Sequence, residues 1–215
     1  MADFIFKRNE QKYLLSPEQA DIFLAAMEQY MQPDKFPTSS IRNIYYDTPD
    51  YRLIRCSLEK PVYKEKLRLR AYGDVTPDSR VFLEMKKKYR GTVYKRRIAL
   101  TEREATAYMA DPEKRLDDSQ IGRELDYFKQ FYGELFPALY LSYDRRSWRS
   151  KEQGLRITLD CNIRYRTTDV ALTAPPSGET LLQDGQYLAE IKSPGAMPLW
   201  LVRVLTDAKI RPTSY

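Results

Sequence analysis

The chain has 215 residues, with 36 Lys and Arg against 30 Asp and Glu, a net charge of +6 and no histidine. Its length allows one sizeable core, while the missing histidine excludes Ser-His-Asp and Cys-His catalysis and every histidine-ligated metal centre. Any metal must then be held by carboxylates, which points to a hard ion such as magnesium or manganese, and the basic excess points to anionic partners.

Along the chain, a strand is expected from Phe6 to Leu15. SPEQADIFLAAMEQYM then opens a helix, with Ser16 as N-cap, Pro17 at the first helical position and Gln19 completing a capping box. Phe23, Met27, Tyr30 and Met31 follow at helical spacing and read as core. IRNIYYDTPDY reads as a strand ending in the turn chemistry of Asp47 to Asp50. Strands follow at Val62 to Tyr72 and Ser79 to Tyr89, and Gly91 turns the chain into Thr92 to Leu100. Thr101 and Glu104 form a second capping box for a helix through Met109. IGRELDYFKQFYG carries Ile121, Leu125, Phe128 and Tyr132 at helical spacing, with Pro137 expected to stop that helix. Three more strands are expected at Ala138 to Trp148, Gly154 to Tyr165 and Tyr187 to Ser193, with TAPPSGE a loop and MPLWLVRVLTDA an apolar closing helix. The order describes an α+β protein, most economically a closed or nearly closed antiparallel β-barrel with helices packed outside.

The sequence from Met1 to Tyr215 reads as a single domain. No apolar run approaches the roughly 20 residues that span a bilayer, and MADFIFKRNE lacks the features of a signal peptide, so a cytoplasmic protein is expected. Cys56 and Cys161 sit in no Cys-x-x-Cys pair and read as small core residues.

One pattern recurs on most of the expected strands. Polar side chains stand two apart at Glu10 and Lys12, Arg68 and Arg70, Glu84 and Lys86, Lys95 and Arg97, Tyr143 and Arg145, and Glu190 and Lys192. Arg156, Thr158 and Asp160 form a longer set. Leu67 and Leu69, Leu83 and Met85, Leu155, Ile157 and Leu159, and Ala189 and Ile191 occupy the opposite phase. Successive strand side chains point to opposite faces, so each such strand has one apolar and one charged face. Charged faces outside would leave an ordinary apolar barrel core; charged faces inside would leave a hollow, cation-lined interior. The amphipathic stripes of the helices need apolar partners that the outer sheet surface can supply, which favours the second arrangement, although periodicity alone leaves both open. A cation-lined interior suits a chain of phosphates, held by arginine forks and lysine point charges because no glycine-rich phosphate loop is present.

Glu10-x-Lys12-Tyr13, NIYYDTP, LRLRAYG, FLEMKKK, YKRR, LSYDRRSW, LRITLD and LAEIK, in that order, resemble the VTC domain. This is the polyphosphate polymerase branch of the CYTH-like triphosphate tunnel metalloenzymes. The resemblance runs from about Phe6 to Tyr215 and implies an eight-stranded antiparallel tunnel. It further implies transfer of the ATP γ-phosphoryl group to a polyphosphate chain with Mn2+ or Mg2+. It places Lys12, Arg68, Arg70, Lys86, Lys95, Arg97, Arg145, Arg156 and Lys192 on the phosphates, with Tyr143 orienting them. Arg68, Arg70, Lys86, Arg145 and Lys192 are the implied catalytic set. Glu190 corresponds to the family's metal-ligand glutamate, with Glu84 and Glu10 either further ligands or ion-pair partners that space the cations. Family members typically continue with a Ser-Lys-Tyr run, whereas this sequence ends Thr213-Ser214-Tyr215. Two rival readings remain: a tunnel hydrolase acting on triphosphate or polyphosphate with the same residues, and a non-catalytic binding module for polyphosphate or nucleic acid. Nucleic acid is disfavoured because the cations alternate with aliphatic residues and no aromatic stacking motif of the RRM kind appears.

Overall fold

The computed structural model describes residues 9–59, 61–150 and 154–213. They fall into two compact units. The first holds the residues up to Ser40, Tyr143–Ile163 and those from Thr180 onward; the second holds Ile41–Ser142 and Arg164–Glu179.

In the first unit, β1 (Asn9–Leu15) leads into α1 (Pro17–Met27). The Ser16 hydroxyl accepts from the Gln19 backbone N–H and the Gln19 side chain accepts from the Ser16 N–H, so the capping box forms as expected. The expected Phe6 to Arg8 portion of this strand lies outside the described residues. α1 ends at Met27, sooner than its apolar stripe suggested. Tyr30 is exposed, and Met31 opens β2 (Met31–Asp47), which begins ten residues before the expected strand. The unit also contains parts of β6 (Phe136–Ser150) and β7 (Arg156–Arg166), together with β9 (Tyr187–Ser193), α5 (Leu199–Asp207) and β10 (Pro212–Thr213). β1 pairs antiparallel with β9 and β10, and β9 with β7. Leu155, Ile157, Leu159, Ala189 and Ile191 form one core with Phe23 and Met27 of α1 and Leu201 and Leu205 of α5.

In the second unit the last residues of β2 pair with β3 (Tyr63–Tyr72), followed by β4 (Arg80–Tyr89) and β5 (Thr92–Thr101), all antiparallel. Between β2 and β3 lies α2 (Arg52–Leu58), which sequence reading did not anticipate. α3 (Glu102–Ala110) has the Thr101–Glu104 capping box, and α4 (Gln120–Tyr132) ends at Gly133, whose φ of 71° suits glycine. Gly133, not Pro137, therefore stops α4; Pro137 lies within β6. Leu67, Leu69, Leu83 and Met85 pack with Ala105, Tyr108 and Met109 of α3 and Leu125 and Phe128 of α4. In each unit, then, the helices cover the apolar phase of the strands.

With the two-residue β8 (Glu179–Thr180) joined to β7, the strand order is β10-β1-β9-β7-β6-β2-β3-β4-β5. Among the described residues the path is open, with β5 and β10 at its ends. The α+β antiparallel architecture is as expected; among the described residues ten strands pair, where eight were expected, and the pairing does not close into a barrel. Cys56 and Cys161 are free and half-buried, not core residues as expected.

Candidate functional site

In the second unit the phase opposite the helices carries charge in successive rows. Arg68 on β3 stands opposite Glu84 on β4, which stands opposite Arg97 on β5. Two residues along, Lys66, Lys86 and Lys95 are abreast, and beyond them Lys64 faces Lys88. In the other direction Arg70 faces Phe82. Glu84, only 1% exposed, gathers this group. Its Oε2 lies 2.6 Å from Arg68, and its Oε1 lies 2.7 Å from Lys95 Nζ and 3.4 Å from Arg97. Burial pushes its carboxyl pKa upward, but the charges of Arg68 and Lys95 outweigh that and hold it below the usual range. The same burial outweighs Glu84's attraction at Lys95 and lowers its ammonium pKa.

β2 completes the row. Tyr45 stands opposite Arg68, and its hydroxyl accepts a hydrogen bond from Arg68 Nη1 at 3.4 Å. Arg70 Nε donates to Asn43 Oδ1 at 2.9 Å, and the Asn43 amide donates in turn to the Leu141 carbonyl. Burial raises the Tyr45 pKa, but Arg68, Arg70 and Lys66 more than offset it, so the phenol is easier to ionise than usual. Each arginine thus keeps part of its fork on a fixed protein partner. Such anchoring pre-orients a guanidinium for an incoming oxyanion.

In the first unit, opposite charges alternate across the strands. Lys12 faces Glu190, Glu10 faces Lys192, and Lys192 faces Arg156. Lys192 Nζ lies 3.0 Å from Glu190 and 3.5 Å from Glu10. Arg145 forks onto Asp160 with two bonds of 2.6 Å, and its guanidinium lies 5.2 Å from the Tyr143 ring centroid. Arg156 pairs with Asp34 at 3.0 Å. Thr158, 3% exposed and opposite Glu190, has no hydrogen-bond partner for its hydroxyl among the described residues. Burial pushes the Glu190 carboxyl up, but a hydrogen bond with Glu10 and the charges of Lys192 and Arg145 bring it down to about 2.

The residues expected at the site thus form two clusters. Arg68, Arg70, Glu84, Lys86, Lys95 and Arg97 belong to the second unit; Glu10, Lys12, Tyr143, Arg145, Arg156, Glu190 and Lys192 belong to the first. Sequence reasoning missed Asn43, Tyr45 and the anchoring role of Asp160. The signal for the first two was present in the alternation of Asn43, Tyr45 and Asp47 within NIYYDTP. Among the described residues no three Asp, Glu or Cys side chains converge as a metal site. Glu10 and Glu190, however, approach closely enough to share a hydrogen bond. A two-carboxylate donor set fits a hard divalent ion that takes its remaining ligands from phosphate and water. Glu84 is instead occupied by three cations.

Fold and site together define a class: α+β proteins whose antiparallel strands present charged side chains on one face and apolar residues to helices on the other. The "putative adenylate cyclase" of Bacillus halodurans shares the fold at a TM-score of 0.58 and 15% identity, over 96% of this chain and 91% of that one. The "putative adenylyl cyclase" HpAC1 of Hippeastrum, described as having a dominant triphosphatase activity, aligns at a TM-score of 0.56 and 19% identity, over 94% of this chain and 88% of that one. No curated protein matches the sequence. The chain belongs to the VTC domain family, whose model matches residues 7–215. Among the described residues, no helix is long and apolar enough to cross a membrane.

Proposed function

We propose that this protein is a metal-dependent inorganic polyphosphate polymerase that transfers the γ-phosphoryl group of ATP to a phosphate chain. The supporting observation is the number of cation rows on β3, β4 and β5. Arg70, then Arg68 with Arg97, then Lys66, Lys86 and Lys95, then Lys64 and Lys88 succeed one another along the strands. Rows two residues apart are spaced by about 7 Å, so the track extends beyond what a single triphosphate needs and suits a longer polyanion.

In this reading Arg68 and Arg70, anchored by Glu84, Tyr45 and Asn43, grip the triphosphate. Lys86, Lys95 and Arg97 neutralise neighbouring phosphates; Lys12, Arg145, Arg156 and Lys192, with Tyr143, do so on the first unit. An anionic terminal oxygen of the acceptor chain attacks the γ-phosphorus in line. The bond from the γ-phosphorus to its bridging oxygen breaks, and ADP leaves with the electron pair. The acceptor is already deprotonated, so the chain's lack of histidine is no obstacle, and positioning with charge stabilisation supplies the catalysis. Glu190 and Glu10 would hold a divalent ion, Mn2+ or Mg2+, whose chemistry is to neutralise phosphate oxygens.

Triphosphate hydrolysis is the second reading, favoured by the triphosphatase activity described for the Hippeastrum protein. Incubation with ATP and manganese, followed by separation of long-chain polyphosphate from orthophosphate, distinguishes the two. A polymerase gives chain product, and Arg68→Ala should reduce it by about 100-fold or more. Orthophosphate alone would establish the hydrolase, and unchanged turnover in Arg68→Ala would overturn both.

A further inference from the structure

The cation-bearing face of β3 and β4 ends in aromatic rings that phosphate binding does not employ. Tyr72 closes β3 two residues beyond Arg70, and Phe82 stands opposite Arg70 on β4. Their ring centroids lie 6.0 Å apart, edge to face at 76°. The Arg97 guanidinium carbon is 3.4 Å from the Phe82 centroid and 6.0 Å from that of Tyr72, and Arg80 lies 5.8 Å from Phe82. Tyr72 is 45% exposed. A single exposed ring needs no explanation, but here an aromatic pair and a stacked guanidinium adjoin the arginines that hold phosphate. Aromatic faces and guanidinium planes are the surfaces on which nucleobases stack.

We propose that Tyr72, Phe82 and Arg97 form a nucleobase subsite, so that a nucleoside triphosphate binds with its base at Tyr72 and its phosphates running past Arg70 and Arg68. Along an extended strand the Cα of Tyr72 is about 7 Å from that of Arg70 and about 14 Å from that of Arg68, a span that a nucleoside triphosphate covers from base to terminal phosphate. The terminal phosphate then lies toward the row of Lys66, Lys86 and Lys95, on the opposite side of Arg68 from the rings. This orientation leaves the lysine rows for an acceptor chain and keeps the departing nucleoside diphosphate off them. The subsite rests on the reading of this face as a phosphate site, but it adds a requirement that phosphate binding alone does not make: the affinity for ATP must depend on the aromatic end.

Calorimetric titration with the β,γ-imido analogue of ATP and, separately, with inorganic tripolyphosphate tests it on the full chain, using wild type, Tyr72→Ala and Tyr72→Leu. The leucine variant keeps an apolar side chain at the strand end and guards against loss of fold. Both variants should bind the ATP analogue at least about fivefold more weakly, the lower limit for loss of one base–aromatic stack, and keep wild-type affinity for tripolyphosphate. If tripolyphosphate binds and the affinity for the ATP analogue is the same in all three proteins, the subsite is overturned and the phosphate site stands. Equal weakening of both ligands would make Tyr72 a structural residue and also overturn the subsite. Binding of neither ligand by the wild type would overturn the phosphate reading itself.

Discussion

At the scale of single residues, the charged faces hold their cations close together by threading carboxylates between them. Glu84 neutralises part of Arg68, Lys95 and Arg97 at once, and Glu10 and Glu190 do the same for Lys192. Such an arrangement costs desolvation, which only paired and hydrogen-bonded charges recover. Glu190 makes the cost measurable. Its pKa in the folded protein is about 2, against roughly 4.3 when unfolded. A depressed carboxyl pKa contributes stability that is fully present above the unfolded value and is lost as pH falls through the folded one. The contribution should therefore be complete above about pH 5 and fade between roughly pH 4 and 2, amounting to on the order of 2–3 kcal/mol. Urea unfolding of wild type and Glu190→Gln across this range provides the check. The variant should be less stable at pH 6, and the difference should shrink as the pH approaches 2. A difference that is constant with pH would mean that Glu190 is not held ionised by its neighbours.

At the scale of elements, α2 shows how a helix can be dictated by a residue outside it. Its N-cap, Tyr51, sits at φ 58° and supplies no capping side chain. The buried carboxylate of Asp47 accepts from the backbone N–H groups of Thr48, Leu53 and Ile54 at 2.8, 2.8 and 3.0 Å, satisfying donors that the helix leaves open. Asp47→Ala should therefore destabilise the chain by about 2–3 kcal/mol, more than the removal of an ordinary exposed cap. Asp47→Asn should recover part of that, since its oxygen can still accept. A loss below about 0.5 kcal/mol in thermal or urea unfolding of Asp47→Ala would refute this account. The same geometry explains why α2 was not legible: Asp47, Thr48 and Asp50 lie close by, but the N-cap position itself is Tyr51 and the helix donors are met by Asp47 and Thr48 from outside it, so the run Asp47 to Asp50 reads as a turn alone. Helices α1 and α3 were legible because their capping boxes are local, and β3 and β4 because Leu67, Leu69, Leu83 and Met85 alternate with charged residues. The early half of β2 hid behind Pro33 and Pro37, which argue against a strand in a sequence-only reading.

At the scale of the whole molecule, the decisive inference was that the apolar phase of the strands faces the helices, and both units bear this out through separate cores. The charged phase of β3 and β9 was legible because a two-residue period distinguishes faces. Tyr45 and Asn43 were hidden by their chemistry, since a phenol and an amide inside an aromatic strand read as packing residues. The open strand path was hidden because periodicity carries no information on closure. On β3, β4 and β5, rows of lysine and arginine stand abreast in a chain of net charge +6, and a bound anion offsets repulsion between like charges. An anion that binds only the folded chain stabilises it, by about 2.7 kcal/mol at one hundred times its dissociation constant. For a chain of this size that corresponds to roughly 5–10 °C in melting temperature. Inorganic tripolyphosphate should therefore raise the melting temperature by about that amount near 50 mM salt, and the shift should shrink as salt is raised, because screening weakens the interactions of exposed charges. Arg68→Ala should remove most of the shift. A tripolyphosphate effect no larger than that of sulfate at equal ionic strength would show that the charged faces do not form a phosphate site, because general anion exclusion and screening act without regard to chain length.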